Sequence, residues 1–164
     1  MVIETERLRI RPFEVSDAEW YFKVTKDRAI KKYLLFAHPS SVKDSVRMIW
    51  QYYSKDGFIY KFSFVLENKE SHERLGALMM EQNLDESLGI SMLIAKEHRR
   101  KGYISEVIEG VVRHLPNGNV LKFSIDRQNE ASLMAVQKLD KIVEITDSFS
   151  ENITKQYRIF ALET

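Results

Sequence analysis

Apolar residues recur along this chain at two periods, and the period changes near residue 60. Over "RLRIRPF", Leu8 and Ile10 alternate with arginines, as in a half-buried strand, and Pro12 ends the run. Helical spacing follows in three stretches. Ser16 is placed to cap the first, with Asp17 and Glu19 in the opening turn where the helix dipole favours acids. The second is "DRAIKKYLL". Ser41 caps the third, in which Val42, Val46, Ile49, Trp50 and Tyr53 share one face and Gly57 lies past the end. Then "IYKFSFVLE", "RLGALMMEQ" and "SLGISMLIA" alternate or run apolar between the polar loops "NKESHE" and "NLDE". That pattern predicts a three-strand antiparallel meander.

The helical period returns beyond residue 103. Ile104, Val107, Ile108, Val111, Val112 and Leu115 form one stripe, built to face a sheet. "PNGN" breaks the chain, "VLKFSID" reads as a strand, and Asn129 caps a helix over "EASLMAVQKL". "KIVEITDSF" and "TKQYRIFALE" read as two last strands paired across "SEN". The expected fold is α+β (mixed α/β), one domain over residues 1–164. About seven mostly antiparallel strands would be flanked by helices, with a parallel strand–helix–strand crossover in the middle.

Composition narrows the chemistry. A formal net charge of +1 gives no global field for nucleic acid or an anionic membrane, and neither partner is expected. There is no cysteine, which removes thiolate ligands and a cysteine nucleophile, and the four histidines are scattered, so no metal site is expected. The opening "MVIETERLRIRPF" has no long apolar segment, and a cytoplasmic location is the expectation.

The stretch with the most chemistry is "EHRRKGYISE", residues 97–106. It joins an apolar strand to an amphipathic helix. The first amides of a helix have no intrahelical partners and, with the dipole, attract anions. Gly102 permits unusual dihedrals and close approach, Arg99, Arg100 and Lys101 add charge, and Ser105 adds a hydroxyl. A phosphate cradle and a solvated basic turn both fit. The lysine precedes the glycine, so this is not a Walker loop, and one glycine is too few for a dinucleotide fingerprint.

The order of elements and "RRKGYISE" resemble the GNAT superfamily of N-acetyltransferases. Its pyrophosphate loop, Arg/Gln-x-x-Gly-x-Gly/Ala, falls on Arg99, Gly102 and Ile104. The branch that acetylates ribosomal-protein amino termini is similar in three places: Lys101-Gly102-Tyr103-Ile104-Ser105-Glu106-Val107, the opening "TERLRIRPFEVSDAEWYF", and Asn129, Ser132, Lys138 and Leu139. The resemblance implies a GNAT-like fold and acetyl-coenzyme A as cosubstrate. Amides of Arg99, Arg100, Lys101, Gly102, Tyr103, Ile104 and Ser105 would hold the pyrophosphate. The edge Met92, Leu93, Ile94 would meet the pantetheine arm and polarise the thioester, with Asn129 and Ser132 on the far side. An amine, on a peptide amino terminus or a small molecule, would attack the thioester directly. Relatives often form homodimers. Five positions depart from the pattern: Ile104 replaces a small residue, Lys96 a proline, Asp140-Lys141 the usual Gly-Phe, and Val136 stands where some members carry a tyrosine acid.

Attack on a thioester needs a neutral amine and a proton for the leaving thiolate. Glu81, at the end of the second meander strand, is the first candidate base. Ser91 could position a water, and Tyr157 could replace the missing acid. A phosphate contact or a plain surface role fits His98, and Tyr52 is a candidate for the acceptor cleft. Two rival readings remain: a catalytically degenerate coenzyme-binding or protein-interaction module, and an RNA-associated protein, disfavoured by the charge balance.

Overall fold

A computed structural model describes residues 2–34, 38–51, 61–145 and 156–164, the side chains of 50, 51 and 61 aside. The expectations placed on Trp50 as a core side chain and on Tyr52, Tyr53, Gly57 and the turn at 150–152 lie outside what is described.

Among the described residues, eight strands form one sheet in the order β1-β2-β3-β4-β5-β6-β8-β7. They are β1 (Ile3–Glu4), β2 (Leu8–Pro12), β3 (Lys61–Asn68), β4 (Arg74–Gln82), β5 (Leu88–Ile94), β6 (Val120–Asp126), β7 (Val143–Glu144) and β8 (Tyr157–Glu163). The helices are α1 (Ala18–Val24), α2 (Arg28–Tyr33), α3 (Val42–Gln51), α4 (Tyr103–His114) and α5 (Glu130–Val136). The meander is antiparallel, and β5 to β6, joined through α4, is the parallel pair. β1 escaped the sequence reading because two residues carry no period; it pairs Ile3 with Ile10.

Alternation along the strands sorts side chains into two layers. On one face Leu8, Ile10, Phe64, Leu66, Leu78, Met80 and Ile90 pack with Val107, Ile108 and Val111 of α4 and Leu133 and Val136 of α5. On the other, Val65, Ala77, Met79 and Leu93 pack with Ala18, Tyr21, Ile30, Met48 and Ile49 of α1, α2 and α3. The stripe read from sequence on α4 therefore lies on the sheet. Among the described residues no helix is long and apolar enough to cross a membrane.

Two local readings need correction. Ser16 is not an N-cap. Glu14 caps a short 3-10 turn at Val15–Asp17, Asp17 returns a bond to the Glu14 amide at 2.8 Å, and α1 begins at Ala18. Asp17 displaces the serine because it is fully buried against Arg11 (2.8 Å) and Arg74 (2.5 Å). Helix α5 ends at Val136, three residues short of the expected Leu139. Asp27 caps α2, and the Ser41 hydroxyl accepts the Asp44 amide at 3.1 Å, as its place before α3 predicts.

Candidate functional site

Two neighbouring strands part company in the middle of the sheet. Their register holds only at Leu88↔Leu121 and Gly89↔Lys122. Beyond Gly89, β5 continues to Ile94 against β4, and β6 continues to Asp126 against β8, with no ladder between them. A wedge therefore opens toward the C-terminal ends of two parallel strands, the edge where open sheets admit ligands. Its vertex is fastened by an ion pair between Lys122 and Asp85, whose carboxyl that contact and Ser87 push down to about 2.

At the mouth of the wedge stands the basic turn. Gly102 has φ 80° and ψ 6°, left-handed backbone that suits glycine, and Arg100 has φ 64°. Turns that alternate hands in this way point successive amides into one concavity. Among the described residues no side chain caps α4, and the first helical bond runs from the Glu106 amide to the Gly102 carbonyl at 3.3 Å. The amides of Tyr103, Ile104 and Ser105 are thus the orphan donors of a twelve-residue helix. Arg100 and Lys101 are exposed beside them.

The back of this turn is clamped by residues from the other end of the chain. Glu106 accepts the Thr5 hydroxyl at 2.5 Å, the Arg7 amide at 2.8 Å and Arg7 Nε at 2.7 Å. Arg7 Nη1 donates to the Lys101 carbonyl at 3.0 Å, and the guanidinium lies 4.6 Å from the centre of the Tyr103 ring. Burial raises the Glu106 carboxyl, but the Thr5 and Arg7 bonds outweigh it and hold it below its ordinary range. Thr5, Arg7 and Glu106 stand inside sequence motifs that do not mark them for this task. Partners about a hundred positions apart leave no local signal.

The side chains of several expected residues engage the protein itself. Arg99 turns to protein: Nε donates to the Ile94 carbonyl at 3.0 Å and Nη2 meets Asp27 at 2.9 Å. His98 is buried, so its plain surface role is corrected; its Nε2 lies 3.2 Å from Glu73 without hydrogen-bond alignment. Ile104 packs partly buried against the main core, following the apolar stripe. Asn129 caps α5 by accepting the Ser132 amide at 3.3 Å. Met92, Leu93 and Ile94 do line the β5 arm beyond the last pair with β6.

The candidate proton-handling residues divide. Glu81 lies opposite Gly89 and Ser91 opposite Met79, so both share the face that carries α1 to α3, at diagonal positions on adjacent strands. Tyr157 lies opposite Asp126, at the start of β8 and on the far arm of the wedge. Across Met79 from Ser91, Phe13, Tyr21, Met48, Ile49, Ser63 and Met79 line a cavity of about 10 Å³, where the buried Ser63 hydroxyl has no hydrogen-bond partner among the described residues. Among the described residues, no group of three His, Asp or Glu side chains is placed to hold a metal.

A family model for the acetyltransferase (GNAT) domain matches residues 7–140. The chain belongs to the GNAT acetyltransferase family. The GNAT fold is equally clear from solved structures. The acetyltransferase (GNAT family) from Bacillus anthracis superposes with a TM-score of 0.74 at 16% identity, over 99% of this chain and 98% of its own. Spermidine N-acetyltransferase from Vibrio cholerae, in complex with CoA and spermine, gives 0.75 at 17% identity, over 96% of this chain and 95% of its own. RimL, a ribosomal L7/L12 alpha-N-protein acetyltransferase in complex with coenzyme A, gives 0.78 at 11% identity, over 99% and 98%. No curated protein sequence matches the chain.

Proposed function

We propose that this GNAT protein is an acetyl-coenzyme A-dependent N-acetyltransferase acting on a primary amine, at a protein amino terminus or on a small molecule. The observation that carries the reading is the uncapped start of α4, with Gly102 and Arg100 left-handed, at the mouth of the β5–β6 wedge. A cosubstrate with a pyrophosphate at one end and a slender thioester arm suits that pair of features. The amides of Tyr103, Ile104 and Ser105 would bind the pyrophosphate, helped by Arg100 and Lys101. The β5 arm at Met92–Ile94 would receive the pantetheine and offer an amide to the thioester oxygen. Asn129 and Ser132, at the start of α5, would border the other arm.

In the reaction the amine nitrogen bonds to the acetyl carbon, the carbon–sulfur bond breaks, the nitrogen gives up one proton and the departing sulfur takes one. Glu81, directly or through water held by Ser91, is the candidate for the first proton. Tyr157 is the candidate for the second. Two structural relatives are described as acting on a polyamine and on a ribosomal-protein amino terminus, which favours an amine acceptor here. The same reading makes residues 1–164 one domain at work in the cytoplasm.

The test is release of free coenzyme thiol from acetyl-coenzyme A across a panel of polyamines and peptides with free amino termini. The protein has no cysteine, so a thiol reagent reads only the product. Mass spectrometry then checks that the amine gains an acetyl group. Coenzyme binding with no transfer to any amine of the panel would favour the degenerate module.

A further inference from the structure

Arg99 begins the phosphate-loop motif, yet its guanidinium is held by the Ile94 carbonyl and by Asp27, the N-cap of α2. At the other end of α2, the Tyr33 hydroxyl donates to the Gln128 carbonyl at 3.1 Å. Arg99 follows β5 and Gln128 follows β6, so the two contacts attach α2 to opposite arms of the wedge. No strand pairing joins those arms beyond Gly89 and Lys122. A six-residue helix rises about 9 Å. That is close to twice the roughly 4.8 Å spacing of paired strands, the width of a gap with one strand left out.

We infer that Arg99 is a positioning residue rather than a phosphate ligand: through Asp27 it ties the coenzyme loop to α2, and α2, tied by Tyr33 to the loop after β6, braces the wedge at the width acetyl-coenzyme A needs. The inference rests on the function proposed above. It assigns work to three residues, Asp27, Tyr33 and Arg99, that touch no coenzyme.

The two roles of Arg99 predict opposite effects at Asp27. A guanidinium needed by the phosphate is held back by the carboxylate, so Asp27→Asn would leave coenzyme binding unchanged or tighten it. A guanidinium that braces α2 is weakened in the same variant, because Arg99 Nη2 keeps the Oδ1 acceptor but loses the carboxylate charge. Asparagine keeps an oxygen for the Ala29 and Ile30 amides, both 3.0 Å from Asp27 Oδ1, so the cap survives. The test is calorimetric titration of acetyl-coenzyme A into the wild type, Asp27→Asn, Arg99→Gln, the double variant and Tyr33→Phe. Each is run at low and high salt, with melting temperatures recorded alongside. The brace predicts weaker binding by about two- to fivefold in Asp27→Asn, Arg99→Gln and Tyr33→Phe. The double variant should be no worse than either single, and the salt dependence should match wild type, because no phosphate contact is lost. Tighter or unchanged binding in Asp27→Asn, or a shallower salt dependence in Arg99→Gln alone, overturns the brace and leaves the function standing. A wild type that does not bind acetyl-coenzyme A overturns both.

Discussion

Gly102 is the position at which the cost to the fold and the cost to a ligand can be pulled apart. Its φ of 80° is left-handed, so any side chain there pays a backbone penalty of about 1 kcal/mol against glycine. Sterics add little. A Cβ built on Gly102 meets only Arg7 Nη2, at the ordinary distance of 3.7 Å. Gly102→Ala should therefore lower the melting temperature by about 2–4 °C and no more. Gly102→Glu carries the same backbone penalty but sets a carboxylate beside the α4 amides, the place proposed for the pyrophosphate. Two like charges about 4 Å apart near a surface repel by about 1–4 kcal/mol, a loss of about 5- to 1,000-fold in affinity. Thermal denaturation and calorimetric titration of acetyl-coenzyme A on the two variants read both quantities. A Gly102→Glu protein that binds like wild type, or a Gly102→Ala protein that loses more than about 3 kcal/mol, would refute the reasoning.

Three further outcomes are expected. Asp17→Asn leaves the buried Arg11 with Glu67 as its one remaining carboxylate and should cost about 3 kcal/mol, read by urea denaturation; a loss under about 1 kcal/mol contradicts a buried network. Burial pushes Asp17, Glu67 and Glu106 up, but their hydrogen bonds and cations outweigh it and hold all three folded carboxyls below their ordinary range. Their contribution is present above an unfolded pKa of about 4 and is lost as pH falls through the lower folded values, so denaturation free energy should hold from pH 7 to 5 and drop below about pH 4. Stability that rose on acidification would reverse that sign. Gly76→Ala places a Cβ 2.3 Å from the Leu93 carbonyl oxygen, so β5 must shift; a cost of about 1–3 kcal/mol and weaker acetyl-coenzyme A binding are expected, and wild-type values in both assays would contradict it.

Local period carried most of the fold. The meander, α4, β6 and β8 fall where alternation and helical spacing put them, because each has apolar positions to bury; of the strand expected over 141–149 the described residues show Val143–Glu144, exposed and paired with β8. Short elements were missed or misjudged for the same reason: β1 has two residues, and the 3-10 turn at Val15–Asp17 is set by Arg11 and Arg74 from other strands, not by Ser16. The turn before α4 was legible as a glycine between a strand and a helix. Its support was not. Glu106 takes its bonds from Thr5 and Arg7, and Arg99 takes its partner from Asp27, across separations that no motif encodes. The wedge was equally silent in sequence, since β5 and β6 are ordinary strands whose separation depends on what each pairs with beyond Gly89 and Lys122.

The central claim is that the wedge and the α4 amides hold acetyl-coenzyme A. Calorimetric titration of acetyl-coenzyme A into the wild-type protein, beside ATP and inorganic phosphate, tests it most directly. The account predicts saturable binding at one site per chain for acetyl-coenzyme A, at least tenfold tighter than for either control. No binding at millimolar acetyl-coenzyme A, or equal binding of all three, would contradict it.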